Sequence, residues 1–367
     1  MTLPPAIRHG AIRAYFIYDV ADTVDLRRLD RIAGTGVEQA PLQLRSVLSA
    51  AYIQFPTPPL AARLAPTSVL GREAATRAKI YDYGVVSLRL SLPYEGSWEG
   101  FARLAQRLRQ GEELAGEAAR LLEGLLAEIA PALAQPHGRL VEDYFVLEVQ
   151  EFEAPIGATE LLASCASAVA SLVSAETEAL GEDEQREALR VRFSYFERDL
   201  AVVQWDAAFI YDTREGAEAI ADILEFANTQ LVEFRAYDAR LDAELDAIYA
   251  MDIPRRRPNR LFELRSLDRR AQLLRSLVVD VRELADRATN ALKIIGDAYY
   301  ARLYRGIAGR LSLGEWQGQV DSKLASINEV YRFLTDQAQN ARAEFLEIVI
   351  IVLIAAEIVV GVLALHR

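Results

Sequence analysis

Reactive side chains are few and scattered in this 367-residue chain. Its three histidines, His9, His137 and His366, stand far apart, and none has a Cys or carboxylate at metal-ligand spacing. The single cysteine, Cys165, lies in the small-residue run ASCASAVASLV. A lone Cys cannot form an internal disulfide, and in such surroundings it is expected to be a buried packing group. There is no Walker loop, no GxGxxG at a strand-helix junction and no GxSxG nucleophile elbow. Carboxylates are plentiful, but residues 142–153 and 176–187 read as solvated acidic faces and loops. The expectation is therefore no catalytic residue, no cofactor and no metal. A site assembled only in space would escape this test.

The one pronounced charge feature is basic. Residues 251–310 hold 14 Lys/Arg against 7 Asp/Glu, a net of +7 in a chain whose total is -12. The densest part, PRRRPNR, contains Arg255, Arg256, Arg257 and Arg260, and its prolines place it at a joint between helices. Three readings stay open for these arginines: a solvated linker, contact with anionic lipid, or contact with RNA on a translation machine. The overall acidity argues against a general nucleic-acid binder.

The second feature is apolar. Residues 348–365, IVIIVLIAAEIVVGVLAL, contain one ionisable group, Glu357. At 1.5 Å per residue such a run rises about 27 Å, close to the hydrocarbon thickness of a bilayer. The reading is a C-terminal transmembrane tail anchor. With no apolar leader at the start of the chain, the body would lie on the cytoplasmic face of the inner membrane. Glu357 shares a helical face with Gly361 and Ala364, small residues that would admit a second helix. The alternative is a protonated side chain without a partner.

These features need elements to position them. Strands are expected at 12–18, 51–55, 80–92, 140–150 and 200–211, from their β-branched and aromatic content. Helices are expected at 26–32, 98–129 and 159–189 between them. That pattern gives an α/β sandwich head over residues 1–212. Apolar stripes at 3–4 spacing then follow: from Ala217 to Ile248 with a break at Asp238, from Leu264 to Tyr299, and from Val320 to Phe345. They predict a helical coiled-coil hairpin over 213–342, turning at Gly306, Gly309 and Gly314. Residues 343–367 form the anchor. The fold class is α+β, and the seams predict a homo-oligomer.

Four segments resemble a known family: Tyr81-Asp82-Tyr83-Gly84-Val85-Val86, the small-residue helix at 164–178, the Leu245-Asp246-Ala247-Ile248-Tyr249 helix end, and the terminal FLEIVIIVLIAAEIVVG. Together they resemble the YagE-like family, related to the "required for meiotic nuclear division" proteins of eukaryotes. Members often carry an aromatic-rich run after YGVV, where this chain has SLRLSLP. The resemblance implies a membrane-anchored protein without known catalytic activity. Its mitochondrial relatives face the matrix and support translation, which implies ribosome contact as a role by analogy.

The reading is thus a non-enzymatic scaffold or assembly factor, against an alternative of an enzyme with its site in the head. A head whose acidic groups all face water favours the scaffold. A pocket lined by mutually close titratable groups favours a site.

Overall fold

The structure is a computed structural model and describes residues 2–33, 43–46, 57–249, 279 and 297–365. The chain divides into two compact units, Met1–Ala236 with Leu284–Trp316, and Tyr237–Glu283 with Gln317–Arg367.

The first unit is built on one large sheet. Its strands are β1 (Ile7–Val24), β2 (Gln43–Ser46), β3 (Leu60–Arg63), β4 (Thr67–Val69), β5 (Arg72–Ile80), β6 (Val85–Gly96), β7 (Leu133–Phe152), β8 (Arg192–Phe193), β9 (Leu200–Val203) and β10 (Ala207–Tyr211). Their order is β2-β3-β5-β6-β1-β7-β10-β9-β8, with β4 paired to β5. Neighbours run antiparallel except β10 and β7, which are parallel. The expected strands at 80–92 and 200–211 each prove to be parts of a reversal. The chain turns at 81–84 in the first and 204–206 in the second. Residues 51–55 lie outside the described residues.

Strand alternation sends one set of side chains to each face. Ile12, Ala14 and Phe16 of β1, with Leu88, Leu90 and Leu92 of β6, enter the apolar core. That core is covered by α2 (Trp98–Gln110), α3 (Glu113–Ile129) and α4 (Ala158–Val173), following a short α1 (Leu26–Ala33). Ser97 caps α2 by accepting from the Gly100 amide at 3.2 Å. The expected single helix over 98–129 ends its first part at Gly111, and that over 159–189 divides into α4 and α5 (Glu182–Ala188). Cys165 is buried in α4, as a packing residue should be. Arg109 closes the far end of α4, donating to the carbonyls of Leu172 and Val173 while it pairs with Asp206 at 2.6 Å. Loss of that cap in Arg109→Ala should lower stability by about 1–2 kcal/mol in urea unfolding.

The turn at Tyr81-Asp82-Tyr83-Gly84 locks β5 and β6 onto β1. The Val20 amide donates to the Gly84 carbonyl at 3.0 Å, and the Val24 amide donates to that of Asp82 at 2.8 Å. Gly84 has φ +89°, and a Cβ there would stand 1.6 Å from the Ala21 carbonyl oxygen. Only glycine meets both conditions.

The opposite face of the sheet carries the first-unit part of α6 (Arg214–Tyr249), and α7 (Ala298–Arg310) and α8 (Leu313–Leu365) follow along the chain. The predicted glycine turn needs correction. Gly306 and Gly309 lie inside α7 and Gly314 inside α8, and the reversal is at Leu311-Ser312, where Ser312 has φ +52°. Gly306 serves packing instead, since a Cβ there would stand 2.3 Å from the Phe193 ring. In the second unit Leu241, Val320, Leu324 and Ile327 are buried. Asp238, the break in the first stripe, accepts Lys323 at 2.7 Å, and Asp242 accepts the same ammonium at 2.6 Å. Most of the stripe from Leu264 to Tyr299 lies outside the described residues.

The expected C-terminal transmembrane helix at 348–365 also needs correction. Among the described residues, no helix is long and apolar enough to cross a membrane. The structure ends α8 in the same apolar run, 348–365. That run also contains Glu357, which is exposed. The transmembrane and tail-anchor assignments fall with this finding.

Candidate anion-binding basin

The face of the sheet beneath α6 is polar by alternation. Arg77 and Lys79 of β5, Ser87, Arg89 and Ser91 of β6, Arg13 and Tyr15 of β1, and Glu148 and Gln150 of β7 sit at every second position. The facing helix answers with Glu218, Asp222, Glu225 and Thr229, spaced to fall on one side of α6. The two sets meet in ion pairs and hydrogen bonds. Lys79 reaches Asp222 at 2.7 Å and Glu225 at 2.6 Å, and the Tyr83 and Thr229 hydroxyls are 2.9 Å apart. Glu148, fully buried, pairs with Arg13 and accepts from Gln150 Nε2 at 2.5 Å.

Near the start of α6 this layer opens into a basin of about 860 Å3. Its lining combines the small residues Gly10, Ala11, Ala75 and Ser91 with His9, and it carries Arg8, Arg13, Arg77, Arg89 and Arg214 against Glu95, Glu215 and Glu218. Three guanidinium groups converge on Glu218. Arg13 is at 2.5 Å, Arg89 at 2.6 Å and Arg77 at 3.9 Å.

The electrostatics follow from that sharing. Burial pulls the Arg77 pKa down, and neighbouring Arg89 lowers it further by like-charge repulsion. Burial also works against Arg89, but Tyr15 and Glu218 more than offset it, so its pKa is raised. Arg89 Nε and the Tyr15 hydroxyl are both buried without a well-formed hydrogen bond, and the two groups attract each other. Burial would raise the Glu218 pKa, yet Arg89 and Arg13 prevail and bring it from 4.5 to about 2. A carboxylate with a depressed folded-state pKa contributes stability above its unfolded value and loses it as pH falls toward the folded one. Stability should therefore drop between pH 4.5 and about 2, and Glu218→Gln should flatten that part of a pH-dependent urea series.

The structure gathers other residues than those singled out from the sequence. Arg255, Arg256, Arg257 and Arg260 lie outside the described residues, as do the side chains of Gly361 and Ala364. Within the supposedly solvated acidic stretches, Glu148 is fully buried, Glu142 pairs with Arg235, and Glu187 takes Arg310 at 2.5 Å. His137 stands 3.5 Å from Asp19 and 3.6 Å from Asp22, carboxylates brought to it by the β1–β7 pairing. Among the described residues, no His/Cys/Asp/Glu group could hold a metal. The basin did leave a trace in the sequence. SLRLSLP alternates polar and apolar residues in a central strand, which marks a sheet with one polar face.

A family model described as "Uncharacterized protein MJ0711, N-terminal domain" matches residues 9–218. Within that span lie all the basin arginines and glutamates except Arg8. The chain is also similar to "Uncharacterized protein MJ0711" of Methanocaldococcus jannaschii, with 25% identity over 195 residues. The matched stretch is 53% of this chain and 59% of that protein, so the chain spans about three fifths of its relative. No solved structure matches.

Proposed function

The chain belongs to the family of the MJ0711 N-terminal domain, and from that premise we propose that the domain is a binding module for a small phosphate- or carboxylate-bearing molecule. The observation that carries this reading is the sharing of one carboxylate by three guanidinium groups. Arg77 is half-exposed in the basin, and its nearest carboxylate, Glu218 at 3.9 Å, is already held by Arg13 and Arg89. A planar guanidinium suits two parallel hydrogen bonds to a carboxylate or phosphate. An anion entering beside Arg77 would relieve the repulsion between these guanidinium groups.

The module is proposed to bind rather than to transform. A carboxylate titrating near pH 2, as Glu218 does, is a poor base at neutral pH. The rival reading, an enzyme with its site in the head, draws on the same titratable cluster, which His9 also lines. The YagE-like likeness extends the proposal to setting: the module would serve an assembly factor connected with translation.

Calorimetric titration of the full chain with pyrophosphate at low salt tests the binding. The wild type should show saturable binding that weakens as salt rises. Arg77→Gln should weaken it about tenfold or more, the loss of one charge-assisted contact, with the fold intact. A wild type that takes up neither pyrophosphate nor citrate would refute the reading.

A further inference from the structure

Aromatic side chains left outside the core gather at the loop between β8 and β9. Tyr195 and Phe196 are 63% and 71% exposed, although rings of this size gain much from burial. Their presentation is fixed rather than loose. Asp199 accepts from the backbone amides of Tyr195 at 2.6 Å and Phe196 at 2.8 Å, and Ser194 Oγ donates to the Phe196 carbonyl at 2.9 Å. The Tyr195 ring lies 4.7 Å from that of Phe196 at 81°, and 5.2 Å from that of Tyr299 at 68°. Adjacent rings are thus near-perpendicular, so they offer faces in different directions.

Carboxylates stand near these rings, with Arg302 among them. Burial raises the Tyr299 pKa, and Asp199 and Asp212 raise it further. Burial raises that of Tyr300 as well, with Asp212, Asp297 and Asp199 contributing. The chain also shows which group these faces accept, because the Arg302 guanidinium sits 5.6 Å from the centroid of the Tyr299 ring.

We propose that Tyr195, Phe196 and Tyr299 form a docking surface for an arginine-bearing segment of a partner protein. Ring faces attract cations, and among cationic side chains the weakly hydrated guanidinium stacks best on them. The nearby carboxylates and the net charge of -12 favour a basic partner and disfavour an acidic one. Exposed aromatic anchors are also the side chains that contribute most at protein interfaces.

The test is calorimetric titration of the full chain with a short arginine-rich peptide, its lysine and glutamate counterparts, and tetramethylammonium. The wild type should bind the arginine peptide with a Kd below about 1 mM. It should bind the lysine peptide more weakly and the glutamate peptide not at all. The Tyr195→Ala/Phe196→Ala double variant, whose rings are exposed and whose circular dichroism should not change, should bind about tenfold more weakly. Tyr299→Phe, which keeps the ring, should bind as the wild type does. Equal affinity in the double variant would reduce the effect to overall acidity and overturn the proposal. Absence of saturable binding would overturn it too, and so would tetramethylammonium binding as tightly as the peptide, which would make this a small-cation site.

Discussion

Gly84→Ala should lower unfolding stability by about 3–5 kcal/mol, close to the largest loss expected of a single methyl group in a domain of this kind. Two costs combine. The residue holds φ +89°, a region that side-chain-bearing residues rarely adopt. The new Cβ would also have to displace the backbone of β1, because the Ala21 carbonyl oxygen occupies its place at 1.6 Å. Relief by a rotamer change is unavailable to Ala or to a backbone oxygen, so the turn must leave β1. It would then release the bonds that Val20 and Val24 make to Gly84 and Asp82. Urea unfolding of the variant checks this. A loss under 1 kcal/mol, on the order of an ordinary surface change, would mean that the turn does not hold the observed conformation.

The second large effect concerns Arg13. Its guanidinium is 8% exposed and pairs with Glu148, which is fully buried beneath α6. Burial depresses the Arg13 pKa, but Tyr15, Glu148 and Glu218 together raise it above its ordinary value. Arg13→Ala leaves the Glu148 carboxylate with Gln150 alone and should cost about 3–5 kcal/mol, the usual penalty for breaking a buried pair from one side. Arg13→Met combined with Glu148→Leu should recover most of that loss, because it removes the unpaired charge and keeps the volume. If the double variant were as unstable as Arg13→Ala, the penalty would come from packing and not from the stranded carboxylate.

These residues also show how far the sequence could be read. β1, β6 and β7 were legible because β-branched and aromatic residues mark them without reference to the rest of the chain. Residues 81–84 stood out as a motif but were read as strand, and neither their turn nor its docking on β1 was legible, since contact between Gly84 and Ala21 depends on strand order. The polar face was overlooked for a related reason. Arg13, Arg77, Arg89, Glu148 and Glu218 lie on five elements, and no spacing rule connects them. Each taken alone looks like a solvated charge. Gly306 was misjudged because a glycine's freedom fits a turn and its small size fits a close approach. The ring of Phe193 against Gly306 decides for the second. The apolar run at 348–365 met a length rule, yet no helix among the described residues is long and apolar enough to cross a membrane.

The basin arginines are proposed to bind an anion beside the carboxylate they share. The most direct measurement follows the arginine Nε–H resonances of nitrogen-15-labelled full-length protein during a pyrophosphate titration. The signals of Arg77 and Arg89 should move together and saturate at one affinity, and Glu218→Gln, which removes the competing carboxylate, should tighten that affinity several-fold. Stationary Arg77 and Arg89 signals, while arginines elsewhere respond without saturating, would contradict the account.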